Sequence, residues 1–236
     1  MSTYLSMWGC SDMAVFASRQ IVVPSTVKQL GDYTVGESVF LNVNGAAREF
    51  LVVHQGKPSS DYDNSCDGTW LLMKDCYEKR EWHFTTQYGQ YSNSIINQYL
   101  NETFLGLFDS DIKSAIKNAK IPVRASTLDC KVFLLSGNEV GLAGAPYLIA
   151  EGVKLDYFNA NRGNDAKRIA YLSGKAVEWW TRTQETTGSY AAFYINASGS
   201  YNTQYLEDLY GVRPALVLPY NTEFDPDTNQ FKGGAA

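Results

Sequence analysis

The sequence contains few charged residues and almost no histidine. Lys, Arg, Asp and Glu make up 19% of the 236 residues, less than the quarter that is usual in globular domains, and His54 and His83 are its two histidines. The net charge of −5 leaves no basic stripe to neutralise phosphates, which argues against a nucleic-acid partner. It also argues against electrostatic attachment to a membrane surface.

Long apolar runs are missing as well. No stretch approaches the ~20 apolar residues that a membrane-spanning helix needs. The first residues, "MSTYLSMWGCSDMAVFASRQ", lack a basic leader followed by an unbroken apolar run. We therefore expect no signal peptide, no transmembrane segment and no membrane insertion, and we expect synthesis in a cytoplasm.

Cysteine is scarce and is not arranged for metal binding. Cys10, Cys66, Cys76 and Cys130 show neither a CxxC motif nor Cys/His spacing, so the sequence predicts no zinc site. Buried free thiols are the expected state. A bridge between Cys66 and Cys76 is the alternative if the protein meets an oxidising exterior.

Other signatures of a cofactor or of catalysis are also missing. The stretch "SSDYDNSCDG" holds Asp61, Asp63 and Asp67 close together but lacks the glycine and glutamate of a calcium-binding EF-hand loop. There is no G-x-S-x-G motif, no Cys/His pair with family-like flanks and no phosphate-binding glycine loop. We expect no metal, no cofactor and no enzymatic activity.

Aromatic and small polar residues are abundant instead. The segment "EWWTRTQETTGSYAAFYINASGSYN" (178–202) combines rigid aromatic rings with short hydrogen-bonding side chains, the mixture that antibody paratopes use. Strand alternation places Ala191, Phe193 and Ile195 on an inner face, so their neighbours face outward. An ordinary polar strand surface is the alternative interpretation. The predicted ligand contacts are Thr181, Arg182, Gln184, Tyr190, Tyr194, Asn196, Ser198, Tyr201, Asn202, Gln204 and Tyr205.

Four further residues are predicted to have structural roles. Trp179 and Trp180 are consecutive, so a strand would point one into the core and the other outward or against an edge. Arg182 would share a face with Trp180 and stack on it. Gly211 is expected to permit a sharp turn, and Arg213 to pair with an internal carboxylate or carbonyl.

The hydrophobic pattern predicts an α+β domain with a mixed, mostly antiparallel sheet and two to three helices. "VFLNVNGAAREFLVV" predicts a hairpin between strands 38–43 and 49–54, because its Asn-Gly pair suits a tight turn. Helical spacing appears in "SNSIINQYLNETFLGLF", where a polar Ser or Asn ahead of the apolar residues would cap the helix, in "DSDIKSAIKNAKIPV", which Pro122 would end, and in residues 164–177. We divide the chain into an N-terminal docking or oligomerisation arm (1–34), a domain (35–220) and a C-terminal tail (221–236).

Six segments in fixed order carry a resemblance over residues 33–219. They are "VGESVFL…REFLVV", "SNSIINQYLNETFLGLFDSDIKSAI", "KVFLLSGNEVG", "WWTRT", "AAFYINASGSYN" and "YGVRPALVLP". This set resembles a bacterial and bacteriophage domain family of unassigned function. Its closing pattern is more distantly similar to the C-type lectin-like fold. That fold includes the formylglycine-generating-enzyme-like branch and the variable ligand-binding proteins that are diversified by phage and bacterial retroelements.

The resemblance implies a C-type lectin-like domain whose last third binds a target while the rest is scaffold. The chain lacks the Glu-Pro-Asn or Gln-Pro-Asp tripeptide of calcium-dependent sugar binding, and it lacks the paired reactive cysteines of the enzymatic branch. The expected function is therefore non-enzymatic binding, in a bacteriophage virion or tail protein. The expected partners are a host cell-surface protein or glycan, neighbouring virion proteins and copies of the same chain. The alternative is a purely structural virion component, such as a capsid decoration or fibre subunit.

Overall fold

The computed structural model describes residues 27–84, 90–186 and 190–234. Most of the predicted arm, residues 1–26, lies outside the described residues. The strands, in chain order, are β1 (Lys28–Gln29), β2 (Ser38–Val43), β3 (Ala46–Gln55), β4 (Thr69–Met73), β5 (Glu78–Arg80), β6 (Ala119–Val123), β7 (Ser126–Cys130), β8 (Val132–Phe133), β9 (Ala170–Leu172), β10 (Lys175–Val177), β11 (Trp179–Gln184), β12 (Ala191–Ile195), β13 (Tyr201–Tyr205), β14 (Tyr210–Val212), β15 (Ala215–Leu218), β16 (Thr222–Phe224) and β17 (Phe231–Gly234).

The first five-stranded sheet has the order β2-β3-β4-β15-β8, and all its neighbours are antiparallel. The predicted hairpin between β2 and β3 is confirmed, and Asn44 and Gly45 at its turn both have positive φ. Every residue of β4 and β15 is buried. These two strands consist almost wholly of apolar residues because both faces of the sheet centre are covered.

The second five-stranded sheet has the order β13-β12-β11-β14-β5. It is mixed, since β11 pairs with β14 in parallel and the other neighbours are antiparallel. Strand β13 forms one edge and β5 the other. Every residue of β11 is buried, although its second half is polar.

Three smaller units complete the fold. Hairpins β6–β7 and β9–β10 each form a two-stranded sheet, and β1, β16 and β17 form a three-stranded one. Residues 27–34 thus pack on the chain's own C-terminal segment, with Leu30 and Tyr33 buried. Residues 222–234 contain two strands of that sheet, β16 and β17, so the segment predicted as a C-terminal tail (221–236) pairs with the rest of the fold over its described residues.

The helices in the described residues are short. α1 (Ile95–Gln98) continues into a π-helical turn, Tyr99–Thr103, and a 3-10 turn, Phe104–Leu107. As predicted, a polar residue caps the first helix: the side chain of Ser94 accepts a hydrogen bond from the amide of Asn97. α2 (Ser110–Ala115) ends well before Pro122, which lies in β6, so that proline does not end it.

The third predicted helix is wrong. Residues 164–177 form a 3-10 turn, Ala166–Arg168, and the β9–β10 hairpin. Ser173 and Gly174 both have positive φ, which fits a two-residue hairpin turn and not a helix. The fold class is confirmed as α+β, with more strand than helix and mostly antiparallel pairing.

None of the helices in the described ranges has the length and apolar character needed to cross a bilayer.

Candidate functional site

Strand β11 places three predicted contacts in the interior. Thr181 and Arg182 are fully buried and Gln184 is 2% exposed, so the prediction that they contact a ligand is wrong. A register shift between Trp180 and Gln184 interrupts the pairing of β11 with β12. The backbone amide of Arg182 donates to the carbonyl of Leu135, which joins this part of the strand to a covering loop.

The guanidinium of Arg182 forms a bidentate ion pair with Glu139 instead of the predicted stack on Trp180. The two N···O distances are 2.6 and 2.7 Å, and both side chains are fully buried. Burial disfavours the charged guanidinium, but the adjacent Glu139 carboxylate outweighs that cost and raises the pKa of Arg182. The guanidinium of Arg182 therefore stays charged inside the protein.

A second buried carboxylate completes this network. Glu151 accepts hydrogen bonds from Thr183 Oγ1 at 2.7 Å and from the amide of Arg124 at 2.9 Å. Burial raises the pKa of Glu151 above its usual value. Tyr62 donates to Glu139 at 2.7 Å. These groups satisfy one another away from solvent, so the network joins loops to the second sheet.

The two consecutive tryptophans, Trp179 and Trp180, lie differently from their predicted positions. Trp179 and Trp180 are both fully buried, so the outward position predicted for one of them is wrong. The second face of the sheet is covered: Trp180 donates to the carbonyl of Arg80 at 2.9 Å, and its ring centroid lies 4.7 Å from that of Tyr210. This aromatic contact, and not solvent, occupies the outer face of β11.

Gly211 and Arg213 both serve packing. A Cβ on Gly211 would lie 2.5 Å from the sulfur of Cys76 and 2.9 Å from the carbonyl oxygen of Glu178, so glycine permits close strand packing and not the predicted turn. Arg213 donates to the carbonyl of Met73 at 2.9 Å, which confirms the predicted carbonyl partner. Its guanidinium also lies 5.0 Å from the Trp179 ring.

The β12–β13 hairpin divides the rest of the predicted contacts between two faces. Tyr194 is opposite Asn202, and Ile195 is opposite Tyr201. Directly opposed residues share a face, and successive residues alternate. Tyr194, Asn202 and Gln204 therefore lie on one face of the sheet, and Tyr201 and Tyr205 lie on the other.

Asn196 and Ser198, two of the predicted ligand contacts, lie in the turn of the β12–β13 hairpin. The side-chain oxygen of Asn196 accepts from the amides of Ser198 and Ser200, both at 3.0 Å, and from the Ser198 hydroxyl at 2.7 Å. Such local bonds hold a turn in shape. Asn196 therefore shapes the loop, while Ser198 is exposed at its tip.

Most of the exposed large apolar side chains lie on or beside the β12–β13 hairpin. Eight such side chains occur in the described residues, and five lie on the segments of this hairpin, directly after them, or on segments that backbone hydrogen bonds connect to them. We call these five residues the aromatic rim. They are Phe84, Tyr147, Tyr190, Tyr205 and Leu209, with exposed fractions of 69%, 60%, 39%, 61% and 58%.

Tyr147 is connected to the rim through the two residues that directly follow strand β11. Its carbonyl accepts from the amide of Thr186 at 2.8 Å, and Leu148 forms a bridge with Glu185. The φ of Tyr147 is +63°, a left-handed conformation that is strained for a bulky residue and often accompanies function. The backbone thus holds an exposed ring at this position at a conformational cost.

The other members join through the β12–β13 hairpin. The carbonyl of Tyr190 accepts from the amide of Leu206 at 3.1 Å, directly after Tyr205. The carbonyl of Leu206 accepts from the amide of His83 at 2.9 Å, which places Phe84 beside this hairpin. Tyr190 and Tyr205 were among the predicted contacts. Phe84, Tyr147 and Leu209 were missed, because each is a lone apolar residue in a segment distant in sequence.

A groove of about 520 Å³ opens beside the rim, and Phe84 and Leu209 form part of its wall. Arg80 lines it, with its guanidinium 3.7 Å from the Tyr99 ring centroid and its Nε 2.6 Å from Glu78. These contacts fix Arg80 in place. The volume lies within the range of small-molecule sites.

Within the described ranges no three His, Cys, Asp or Glu side chains are placed to hold a metal ion. The aspartates of 61–67 have local roles: Asp63 accepts from the amide of Ser65 at 2.8 Å, and Asp67 accepts from the Tyr220 hydroxyl at 2.6 Å. Cys66, Cys76 and Cys130 are free and buried, so the alternative Cys66–Cys76 bridge is not formed.

Burial makes these thiols unreactive. It raises the pKa of Cys66 to about 11 and those of Cys76 and Cys130 to about 12, so the nucleophilic thiolate is scarce at neutral pH. In a Cys10→Ser variant, Ellman's reagent should label no thiol of the native protein quickly and all three after denaturation. Rapid labelling of the native variant would contradict this burial.

Comparison with known proteins adds a family. The family model described as "Domain of unknown function (DUF6273)" matches residues 67–220. The chain belongs to this family. The DUF6273 range runs from β4 to β15 and contains every residue of the aromatic rim, and it confirms the predicted membership of a family of unassigned function. Strands β2 and β3 precede the range, but they belong to the same sheet, since β3 pairs with β4 and β2 pairs with β3. No curated protein and no solved structure matches the chain.

Proposed function

We propose that this chain is a non-enzymatic binding module that holds a protein or glycan of a host cell surface against its aromatic rim. The observation that carries the proposal is the concentration of five of the eight exposed large apolar side chains of the described residues on and beside the β12–β13 hairpin. Apolar surface gathered in this way commonly marks an interaction site.

The composition of the rim supports recognition. Tyrosine provides a large contact area at low entropic cost and is enriched among residues that dominate binding energy. The exposed polar residues Ser198 and Asn202 lie on the same hairpin but away from Tyr205, at the turn and on the opposite face, so the rim itself is mainly aromatic and apolar. The buried network of Arg182 keeps the sheet beneath this surface rigid, which lowers the entropy lost on binding.

The proposal extends to fold and location. A C-type lectin-like scaffold, a bacteriophage virion or tail location and self-association are implied by the resemblance of the sequence segments. The two sheets and the exposed hairpin suit a scaffold that presents a surface. A sizing column separates this function from a purely structural virion role: an oligomer whose contacts bury the rim would favour the structural role.

The test compares rim variants with a matched variant elsewhere. Tyr205→Ser and Tyr147→Asn should each weaken binding of the labelled protein to bacterial cells by about tenfold or more. Asn is chosen at 147 because it tolerates positive φ. The control is Tyr171→Ser, which removes a tyrosine of similar exposure, 45%, from the β9–β10 hairpin.

All three variants should melt close to the wild-type temperature, because the side chains are exposed. The proposal fails if the panel of bacterial strains, the source species included, shows no binding. It also fails if Tyr171→Ser weakens binding as much as the rim variants do.

A further inference from the structure

Two depressions meet over the first helical segment. The groove beside the rim, about 520 Å³, and a second depression of about 530 Å³ share Gln98 and Glu102 in their walls. Both residues are exposed, and the Gln98 amide nitrogen donates to Glu102 at 2.9 Å. The two depressions therefore adjoin each other at this pair, and we call them together the long groove.

The two ends of the long groove differ in chemistry. Near the rim the wall includes the apolar residues Phe84, Ile95 and Leu209 beside charged residues. The far half is unusually rich in side-chain amides, and five of its lining residues carry one: Asn93, Asn97, Gln98, Asn101 and Asn118.

The amides divide into structural and exposed members. Asn101 donates to the carbonyl of Val132 at 2.9 Å and accepts from the amide of Lys131 at 3.0 Å, so its side chain is committed to the fold. Gln98 and Asn118 are exposed. An amide presents a donor and an acceptor side by side, which suits a pair of neighbouring hydroxyl groups.

The charges of the lining balance. Three cationic residues (Lys79, Arg80 and Lys131) and three anionic residues (Glu81, Glu102 and Asp129) contribute to the wall. Since the lining has no net charge, it does not favour an ionic ligand of either sign.

We propose that the long groove binds an uncharged oligosaccharide. The exposed ring of Phe84 stacks on the C–H face of a sugar, and the Gln98–Glu102 pair and Asn118 bond to hydroxyl groups further along. The inference rests on the proposed function, since Phe84 and Leu209 belong both to the rim and to the groove. It names the ligand class, and it requires no bound metal.

Titration of the full chain tests the inference. The probes are maltoheptaose, cellopentaose and chitopentaose, each followed by isothermal calorimetry up to about 10 mM, which suffices to detect a Kd near 1 mM. At least one should bind saturably. Its Kd should rise about tenfold in Phe84→Ala and in Gln98→Ala, and should not change in Tyr171→Ala.

Charge-sensitive readouts exclude other ligand classes. Glu102→Gln keeps a hydrogen-bonding group and should weaken binding less than Glu102→Ala does. Affinity should not depend on NaCl, because no ion pair forms with the ligand. A heparin oligosaccharide that binds more tightly, with affinity that falls as salt rises, would overturn the inference, and so would a failure of all three neutral probes.

The experiments distinguish a failure of the oligosaccharide inference from a failure of the proposed function. If Tyr147→Asn and Tyr205→Ser lose cell binding while no neutral saccharide binds, the rim is a binding surface and the oligosaccharide inference is wrong. If cells are not bound by the wild type either, both are wrong.

Discussion

Glu139→Gln should destabilise the protein by about 3–5 kcal/mol, because it leaves the guanidinium of Arg182 charged and without its carboxylate in the interior. Both partners of the pair are fully buried. For a chain of this size each kcal/mol corresponds to roughly 2–4 °C in Tm. Urea denaturation followed by circular dichroism measures the loss.

The control uses an ion pair at the surface. The Nζ atom of Lys74 lies 2.8 Å from a carboxylate oxygen of Glu49, but the side chain of Lys74 is 48% exposed and that of Glu49 is 29% exposed. Lys74→Gln should cost less than about 1 kcal/mol, because water screens such a pair. Glu139→Leu combined with Arg182→Leu removes both charges and should cost less than the sum of the single changes. Equal losses for Glu139→Gln and Lys74→Gln would contradict the buried network.

Gly141→Ala should destabilise the protein by about 2–5 kcal/mol, through backbone strain and overpacking, two effects that a control substitution at a second glycine separates. Gly141 has φ +87°, and a Cβ there would overlap the carbonyl oxygen of Asn159. Backbone strain at positive φ costs roughly 1–2 kcal/mol, and overpacking against backbone that cannot move aside costs roughly 1–3 kcal/mol more. Thermal and urea denaturation both measure the loss of stability of the Gly141→Ala variant.

Gly144→Ala is the matched control. Gly144 has φ +77°, and a Cβ there would meet nothing within 4 Å. It carries the strain without the overlap and should cost about 1–2 kcal/mol. If the two variants lose the same stability, the close approach of the two backbone segments at Gly141 and Asn159 is wrong.

Local signals predicted the fold where the decisive contacts are close in sequence. The β2–β3 hairpin follows from its Asn-Gly turn, and the start of α1 follows from Ser94. The β9–β10 hairpin was misread because the Ser173–Gly174 turn lies inside a segment with helical spacing of apolar residues.

The candidate site depended on distant contacts and was predicted only in part. Arg182 is buried because Glu139, supplied by a different loop, compensates its charge, and nothing within "WWTRTQ" indicates this. Tyr190 and Tyr205 could be found from composition. Phe84 and Tyr147 could not, because only the tertiary fold brings their segments beside the β12–β13 hairpin.

Hydroxyl-radical footprinting of the protein bound to cells that retain it tests the central claim most directly. The bound state should protect Phe84, Tyr147, Tyr205 and Leu209 relative to the free protein, while Tyr171 reacts equally in both states. Protection of Tyr171 with unchanged reactivity across the aromatic rim would show that another surface meets the target.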